Sequence, residues 1–457
     1  MKPFPTNLFA GEAFSVVGLG HNGLPVARAL AAMGADITAW DDAEAAREAA
    51  AQAGISIVNP AEGARRPRAM ILSPGIPHCR PRIHPAAAWA RAQGVLIVSD
   101  VEILFIAVRR AGSKARFVGI TGTNGKSTTT ALLAHILAAA GVPSAAGGNL
   151  GTAALALPLL PDHGVYVLEM SSYMLERLIT VRFDSAALLN LSPDHLDRHG
   201  DMHGYAAAKQ AIFARQTESD AAIIGIDDSL SRDMAAWRAT QPGTTIAISG
   251  FQPAKIWGDG AILRDAGGPI IDLAICPTLP GAHNAQNAAA ATALAQSLGV
   301  ERADIARHMP SYPGLAHRQQ RIVDRQGVVF INDSKATNVD AAARALGCYD
   351  RLIWIAGGMA KEGGIEALQE FFPRIAQAFL IGQDAPALAA TLATHGVAHR
   401  ITGTLDDAVP AAYAAARQAG VGVVLLSPAC ASFDQFTGFD ARGDRFAALA
   451  AALEDIG

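Results

Sequence analysis

The sequence predicts an α/β protein of three domains: a Rossmann-like N-terminal domain, a central parallel sheet of the P-loop ATPase type, and a Rossmann-like C-terminal domain. Three segments each repeat a short apolar run, a glycine-rich turn and an Ala-rich amphipathic stretch, which favours parallel sheets covered by helices. The 457 residues suffice for three domains at roughly 150 residues each. A basic linker at 109–114 and a Pro/Gly-rich connector at 309–314 set the predicted domains at 1–112, 113–314 and 315–457.

Composition excludes several classes of protein. The net charge is −4, from 37 Lys and Arg against 41 Asp and Glu, so nothing indicates a surface for nucleic acid. The four cysteines are far apart and form no C-x-x-C pair, which argues against a disulfide framework or a cysteine-based zinc site. No signal peptide is recognisable, and charges or Gly/Pro interrupt the Ala-rich stretches. We therefore expect a cytoplasmic protein without a membrane span.

The first predicted strand and helix enclose a G-x-G-x-x-G loop, and an acidic pair ends the next strand about 20 residues later. The loop and the pair comprise Gly18, Gly20, Gly23, Asp41 and Asp42. Such glycines allow a tight turn and let the helix N-terminus approach a pyrophosphate. A second turn, with Ser73 and Gly75, follows the strand at 69–72 and could close over the ligand. These residues predict a diphosphate-linked ligand, either NAD or a nucleotide sugar.

The second glycine loop, TGTNGKST, follows a predicted strand at 117–121 and precedes a predicted helix. In a phosphate-binding loop, backbone N–H groups surround the phosphates, Lys126 reaches the β- and γ-oxygens, and Ser127 or Thr128 can ligate Mg²⁺. Ile120 occupies the place of the first glycine in the usual pattern. The flanking strand and helix nevertheless predict an ATP site.

Several polar residues of the middle segment are candidates for binding a metal ion, the substrate or the adenine base. Glu169 ends a predicted strand, where a carboxylate suits Mg²⁺ or its water. His195, in a loop after the next strand, is a candidate metal or substrate ligand, and Lys209 lies on an otherwise apolar helix. Asn284 and Asn287 open another helix, where they could either cap it or contact an adenine edge.

The third segment places polar groups after three predicted strands, at 332–338, 357–361 and 427–439. Ligands bind at the carboxyl ends of strands in α/β sheets. Because these turns supply Lys335, Lys361 and several hydroxyl groups, they predict a receptor for a dicarboxylate.

The motifs TGTNGKST, LEMSSYMLE, NLSPDHLDRHG, HNAQN, AHR, NDSKATN, GGMAK and SPACASFDQF occur in this order along almost the whole chain. Together they resemble the Mur ligases, and NDSKATN and SPACASFDQF are typical of the branch that adds D-glutamate. The resemblance implies a ligase of peptidoglycan synthesis. It would join D-glutamate to UDP-N-acetylmuramoyl-L-alanine through an acyl phosphate, using ATP and two Mg²⁺ ions.

Matched position by position, the resemblance implies roles in all three domains. The nucleotide-sugar site would comprise Gly18, Leu19, Gly20, Gly23, Asp41, Asp42, Ser73, Gly75, Asn149 and His195. The ATP site would comprise Gly122, Thr123, Asn124, Gly125, Lys126, Ser127, Thr128, Asn284, Asn287, Arg318 and Asp333. Magnesium would be held by Ser127, Glu169, His195 and a carbamylated Lys209, and D-glutamate by Lys335, Thr337, Lys361, Ser432 and Phe439. The catalytic residues would be Lys126, Glu169, His195 and Lys209.

Other functions remain open on the residues alone. A hydride-transfer enzyme would use the first glycine loop but leave TGTNGKST and NDSKATN without a purpose. A nucleotide-sensing regulator would bind or hydrolyse ATP independently of any amino acid. Ligases that add L-alanine or a diamino acid, and folylpolyglutamate synthase, are further alternatives, although a folate enzyme needs no first domain. The chain departs from the family pattern at GGMAKEGG, which lacks an aspartate beside the glycine pair, and at GLGHNG, which is richer in glycine.

Overall fold

The computed structural model describes residues 2–62, 66–149, 151–361 and 363–453. The chain divides into two compact units: the first holds Met1–Cys276 and Asn284–Tyr312, and the second holds Pro277–His283 and Pro313–Gly457. Two sheets lie in the first unit and one in the second. The predicted α/β class with parallel sheets is confirmed, whereas the predicted domain bounds remain predictions.

The N-terminal sheet has the strand order β3-β2-β1-β4-β5, with all neighbours parallel. Its strands are β1 (Ala13–Val17), β2 (Asp36–Trp40), β3 (Ser56–Ile57), β4 (Ala69–Leu72) and β5 (Leu96–Val98). Its helices are α1 (Gly23–Ala32), α2 (Glu44–Gln52), α3 (Pro85–Ala92) and α4 (Asp100–Arg110). The order reverses between β1 and β4, and ligands of α/β sheets bind at such a switch point. The first glycine loop follows β1 at this position.

The middle sheet has the order β14-β13-β12-β11-β10-β9-β6-β8-β7. Its strands are β6 (Arg116–Thr121), β7 (Ser144–Gly148), β8 (Val165–Glu169), β9 (Ser185–Leu188), β10 (Ala221–Gly225), β11 (Thr244–Ser249), β12 (Ile256–Asp259), β13 (Ile262–Asp265) and β14 (Gly268–Asp272). Strands β7 to β12 pair in parallel, and β12 to β14 form antiparallel hairpins. The Gly/Pro-rich stretch near 250–280 therefore forms antiparallel hairpins at one edge of this sheet.

The helices of the middle sheet are α5 (Lys126–Ala139), α6 (Ser172–Leu175), α7 (Leu196–His199), α8 (Met202–Gln210), α9 (Ser229–Arg238), α10 (Ala282–Ser297) and α11 (Arg302–His308). Every residue of α10 from Asn284 to Ala295 is buried. Small alanine side chains allow a helix to be enclosed in this way at little steric cost. The asparagines of HNAQN are consequently inside the protein and not in a solvent-facing cap.

The C-terminal sheet has the order β15-β16-β20-β17-β18-β19, parallel except for the antiparallel edge strand β15. Its strands are β15 (Gln320–Arg325), β16 (Val328–Asn332), β17 (Leu352–Gly357), β18 (Ile375–Ile381), β19 (His399–Gly403) and β20 (Val423–Leu426). Its helices are α12 (Val339–Leu346), α13 (Ala385–Thr394), α14 (Leu405–Ala419) and α15 (Phe439–Ala452). Short 3₁₀ segments occur at Ala154–Ala156, Ala211–Phe213, Leu273–Ile275, Met309–Ser311 and Glu366–Arg374. Among the described residues, no helix combines the length and apolar character needed to cross a bilayer.

Candidate active site

The second glycine loop joins β6 to the N-terminus of α5, and two of its glycines have backbone angles that favour glycine. Gly122 has φ +148° and Gly125 has φ +83°. A Cβ atom on Gly125 would lie 2.1 Å from Oδ1 of Asn287. The close approach of α10 and the left-handed conformation therefore both require glycine at position 125.

Two residues to which the sequence analysis assigned no role hold this loop in place. The Asn190 side chain accepts a hydrogen bond from Asn124 N at 2.9 Å, and its carbonyl accepts one from Thr123 N at 2.9 Å. The Tyr205 hydroxyl lies 3.3 Å from Thr123 Oγ1. Asn190 belongs to the motif NLSPDHLDRHG and was thus within reach of sequence reasoning, whereas nothing in the sequence around Tyr205 points to the loop.

Two lysines converge on the carbonyl of Gly122. Lys126 Nζ donates to Gly122 O at 2.8 Å and to Thr123 O at 2.7 Å. Lys209 Nζ donates to the same Gly122 carbonyl at 2.9 Å and lies over the ring of Tyr205. Only 1% of Lys209 is exposed. Burial, together with the neighbouring Lys126 ammonium, holds the pKa of Lys209 well below its usual range.

Glu169 lies at the end of β8, where it is 2% exposed. Its Oε1 accepts a hydrogen bond from Asn149 Nδ2 at 2.7 Å, while its buried Oε2 has no hydrogen-bond partner among the described residues. A buried carboxylate oxygen without a donor is costly unless something else occupies that position. Mg²⁺ prefers oxygen ligands, and Glu169 Oε2 and the Ser127 hydroxyl are oxygens of this kind. These residues therefore fit the metal that the sequence analysis expects.

His195 precedes α7 and has φ +52°, an uncommon conformation for a residue with a Cβ atom. Its ring lies 4.9 Å from that of Tyr173. Burial lowers the pKa of His195, with further lowering from the Lys209 and Lys126 ammonium groups, although Asp194 opposes them. A neutral imidazole has a lone pair available for a metal or a substrate.

A cavity of about 520 Å³ lies against the first glycine loop. Of the residues predicted for the nucleotide sugar, its lining includes Gly18, Gly20, Asp41, Asp42, Ser73, Gly75 and Asn149. The Asp41 carboxylate accepts hydrogen bonds from Leu19 N at 2.6 Å and Ala43 N at 2.8 Å, so it braces the loop. Asp42 lies 3.0 Å from His84 Nε2, and this hydrogen bond lowers the pKa of Asp42. Asn149 contacts both this cavity and Glu169, and so connects the two sites.

In the second unit, the residues predicted for D-glutamate lie on turns that a buried arginine holds together. Lys335 Nζ lies 3.6 Å from the centre of the Phe439 ring, and Ser432 is buried. Arg442 donates to the carbonyl oxygens of Ser334 at 2.9 Å and Cys430 at 3.1 Å. A lysine over an aromatic face is a favourable cation–π arrangement. Nothing in the sequence pointed to Arg442, because its partners, which also include Gly357 O at 3.3 Å, come from three different turns.

Asp333 and Arg318 are also neighbours in the second unit. Burial raises the pKa of Asp333 to about 7, although Ser427 Oγ donates to its carboxylate at 2.8 Å and the Arg318 guanidinium opposes the shift. Thr337 N donates to the carbonyl of Lys335, and Lys361 is exposed. In the first unit, Asn287 contacts Thr129 and its Oδ1 lies beside Gly125 of the phosphate loop, while Asn284 accepts a hydrogen bond from Asn287.

Comparison with known proteins gives a consistent set of similarities. Residues 120–295 match the Mur ligase middle domain, and residues 317–430 match the Mur ligase, glutamate ligase domain. The chain is 48% identical to the UDP-N-acetylmuramoylalanine–D-glutamate ligase of Paramagnetospirillum magneticum, covering 98% of both chains. It is 46% identical to the ligase of the same name from Rhodospirillum rubrum, over 99% of this chain and 97% of that one.

Solved structures share the fold at lower identity. UDP-N-acetylmuramate-alanine ligase MurC from Thermotoga maritima aligns with a TM-score of 0.61 and 18% identity, over 95% of this chain and 98% of that chain. MurF from Acinetobacter baumannii aligns with a TM-score of 0.58 and 18% identity, over 80% and 88%. At this identity the likeness concerns the fold alone.

Proposed function

This chain belongs to the Mur ligase family, and we propose that it joins D-glutamate to UDP-N-acetylmuramoyl-L-alanine with conversion of ATP to ADP and phosphate. The observation that carries the proposal is the position of Asn149, which lines the nucleotide-sugar cavity and donates to Glu169. A substrate held in that cavity would extend its carboxylate toward Glu169 and the phosphate loop. A dehydrogenase or a nucleotide sensor would need no such connection.

The chemistry begins with activation, because a carboxylate is a poor electrophile. An oxygen of the alanyl carboxylate attacks the γ-phosphorus of ATP, and the bond from that phosphorus to the bridging oxygen breaks, which releases ADP. The glutamate amine then attacks the resulting acyl phosphate to form a tetrahedral intermediate. Collapse of this intermediate expels inorganic phosphate, and the nitrogen loses a proton to leave an amide. Positioning and neutralisation of charge supply most of the catalysis in such transfers.

Residues of the first unit would bind and orient the reacting groups. The N–H groups of the loop from Gly122 to Thr128 would surround the phosphates, and Lys126 would move from the loop carbonyls to the phosphate oxygens. Asn284 and Asn287 would contact the adenine. Ser127, Glu169 and His195 would hold two Mg²⁺ ions, and these ions supply positive charge that offsets the phosphate oxygens.

Lys209 would complete the metal site as a carbamate. An amine reacts with CO₂ only when it is unprotonated, and the lowered pKa of Lys209 favours that form. The neutral nitrogen forms a bond to the carbon of CO₂ as one C–O π bond breaks, and the nitrogen loses a proton to solvent, which leaves a buried carbamate anion beside Lys126. The proposed product therefore offers oxygen ligands where the unmodified ammonium offers none.

Further features of the proposal rest on the second unit and on the substrates. Arg318 and Asp333 would contribute to ATP binding. The D-glutamate receptor would consist of Lys335, Thr337, Lys361, Ser432 and Phe439. We also place the domains at 1–112, 113–314 and 315–457, and the reaction in the cytoplasm, where ATP and nucleotide sugars are made.

Phosphate release by the purified protein tests the proposal. The assay contains ATP, Mg²⁺ and UDP-N-acetylmuramoyl-L-alanine, with D-glutamate, L-glutamate or no amino acid. We expect release only with D-glutamate, accompanied by a product heavier by one glutamyl residue. Dependence on L-glutamate would assign a different stereochemistry. Release without any amino acid, or none with either glutamate, would contradict the proposed reaction.

A further inference from the structure

Arg177 follows α6 of the middle sheet, yet its guanidinium contacts the N-terminal sheet. The residue is 2% exposed. Its Nη1 donates to Leu72 O at 2.6 Å and Ser73 O at 3.1 Å, and its Nη2 donates to Ile76 O. One side chain thus satisfies three carbonyls, one at the end of β4 and two in the turn that follows it. A rigid, planar guanidinium can bind several acceptors at once, which a lysine ammonium does not reproduce.

The turn from Ser73 to Ile76 forms one wall of the nucleotide-sugar cavity. It packs against the first glycine loop, which forms another wall. Ser73 and Ile76 both line the cavity. Ser73 Oγ donates to Gly18 O at 2.7 Å. A Cβ atom on Gly18 would lie 2.7 Å from both Ile76 Cδ1 and Ser73 Cβ. Any displacement of the turn would therefore change the position of the glycine loop as well.

The Nε of Arg177 joins a hydrogen-bond network that reaches α7, the helix that follows His195. Arg177 Nε donates to His78 Nδ1 at 3.2 Å, and Arg198 Nη2 lies 2.8 Å from the same nitrogen. Burial and the two guanidinium groups lower the pKa of His78 to about 4, so its ring is a neutral acceptor. Arg198 also pairs with Glu176 at 3.3 Å.

The same network argues against a metal ion at this position. His78, Cys79 and Glu176 offer ligand atoms within 4.8 Å of one another. However, Nδ1 of His78 already lies within hydrogen-bond distance of two guanidinium groups. A cation placed here would lie beside two fixed positive charges, which opposes its binding. His78 and Glu176 are therefore hydrogen-bond and ion-pair partners that hold Arg177 and Arg198 in position.

We propose that Arg177 is a positioning residue for the nucleotide-sugar substrate, which it serves by fixing the turn from Ser73 to Ile76 against the glycine loop. The inference rests on the proposed function for the identity of the ligand. Arg177 lies outside the cavity lining, so its effect on binding passes through the backbone that it holds. If Arg177 only stabilised the fold, its substitution would lower the melting temperature and leave the Kd for the nucleotide sugar unchanged.

The test compares Arg177→Lys and Arg177→Met with the wild-type protein. Calorimetry gives the Kd for UDP-N-acetylmuramoyl-L-alanine, and steady-state kinetics give KM for each substrate. We expect the Kd and KM for the nucleotide sugar to rise about tenfold in Arg177→Lys, because roughly one or two hydrogen bonds to the turn are lost. The rise should be larger in Arg177→Met, which loses all of them. The KM values for ATP and D-glutamate should stay within about twofold, because the phosphate loop rests on other residues.

Arg238 provides a matched control. It is also buried, at 1% exposure, and donates to Gln216 Oε1 at 3.0 Å and Gln241 O at 3.3 Å within the middle sheet. Arg238→Lys should lower the melting temperature without changing the Kd for the nucleotide sugar. An unchanged Kd in Arg177→Lys, with a melting temperature lowered as in Arg238→Lys, would overturn the inference. If the wild-type protein itself bound no nucleotide sugar, the proposed function would fail instead.

Discussion

The Lys126 ammonium donates hydrogen bonds to the backbone of its own loop, so it already lies beside the predicted phosphate site. Two of its acceptors, Gly122 O and Thr123 O, are carbonyls of the loop that the sequence identified. Neutral carbonyls bind an ammonium more weakly than anionic phosphates do. The lysine can therefore exchange these partners for ATP without a change in the fold.

We expect Lys126→Ala to abolish turnover, a loss of at least about 10³-fold, because a charge that stabilises the transferring phosphoryl group is removed. Phosphate release measures the loss, and circular dichroism shows whether the protein stays folded. Lys114→Ala, at an exposed position, is the control. Near-normal activity in the Lys126 variant would remove the assignment of the phosphate loop.

Lys209 is the residue whose role depends most on its surroundings. On the sequence it is one lysine in a helix, but in the structure it is buried and touches Gly122 and Tyr205. An unmodified ammonium is poorly placed there, since burial and Lys126 both disfavour its charge. Carbamylation would resolve this conflict chemically.

Lys209→Met should lose about 10²- to 10³-fold in activity, since it removes a proposed metal-binding group while keeping a side chain of similar length. With ¹³C-labelled bicarbonate, the wild-type protein should show a carbamate carbon signal that the variant lacks. Lys255→Met, which changes an exposed lysine, should retain the signal. Full activity in buffer stripped of CO₂ would refute carbamylation.

At the scale of elements, the strand–loop–helix unit of the N-terminal sheet depends on two glycines for different reasons. A Cβ on Gly23 would lie 1.7 Å from Gly18 O, so this glycine allows α1 to approach β1. A Cβ on Gly20 would meet no protein atom within 4 Å, yet Gly20 lines the cavity. Gly23 is therefore required for packing, whereas Gly20 leaves space for a ligand.

Substitution by alanine should therefore separate stability from binding. Gly23→Ala should lower stability by about 1–3 kcal/mol through overpacking and also weaken binding of the nucleotide sugar. Gly20→Ala should keep the wild-type melting temperature and weaken binding alone. Thermal denaturation and calorimetry measure the two effects, and wild-type affinity in Gly20→Ala would mean that the diphosphate does not approach this loop.

Helix α4 joins the two sheets of the first unit through its buried acidic N-terminus. Asp100 Oδ2 accepts a hydrogen bond from Ala154 N at 2.8 Å. Glu102 accepts hydrogen bonds from Ile179 N and Thr180 N, each at 2.8 Å. Burial raises the pKa of Asp100 to about 6, although backbone N–H groups oppose the shift.

This raised pKa predicts a pH dependence of stability with a definite sign. The unfolded pKa is about 3.9, so between that pH and about 6 the folded protein binds more protons than the unfolded chain. The contribution of Asp100 is thus present in acid and is lost as pH rises through 6. Asp100→Asn keeps the acceptor for Ala154 N and should melt higher than wild type at pH 8, by on the order of 5 °C, with a smaller difference at pH 5.

Thermal denaturation between pH 5 and pH 8 tests this expectation. Asp304→Asn, on α11 beside Arg307, is the control for removing a carboxylate elsewhere in the first unit. A difference between Asp100→Asn and wild type that shrinks as pH rises would contradict the assigned direction.

At the scale of the whole molecule, the two compact units contain different sets of predicted binding residues. The nucleotide-sugar cavity and the phosphate loop belong to the first unit, and Lys335 and Phe439 belong to the second. Of the five tryptophans, only Trp354 lies in the second unit, where it is buried and donates to Ser427 O at 2.9 Å. Its fluorescence therefore reports on that unit alone.

We expect two unfolding transitions, since chains with more than one compact unit often deviate from two-state behaviour. A nucleotide sugar at 100 times its Kd should stabilise the first unit by about 2.7 kcal/mol and leave the Trp354 transition in place. Calorimetry combined with fluorescence of wild type and Trp354→Phe separates the signals. A single transition that shifts as a whole would show that the units unfold together.

The sequence by itself determined the features that depend on consecutive residues. Both glycine loops, their flanking strands and helices, and the parallel α/β class follow from backbone preferences and hydrophobic spacing, which act over a few residues. The ordered motifs indicated the Mur ligase family and predicted site roles for Lys126, Glu169 and His195. Short-range sequence patterns were sufficient for these predictions, because each of the three motifs follows the end of a single strand.

Only the tertiary structure decided how distant residues support these loops. Arg177 and Leu72 are 105 positions apart, and Asn190 is 66 positions from Asn124. The burial of Lys209 likewise depends on β6, where Thr121, 88 positions away, accepts a hydrogen bond from its ammonium. Burial and hydrogen bonding across such separations arise only when the sheets assemble, because desolvation depends on all surrounding elements and no local pattern records it.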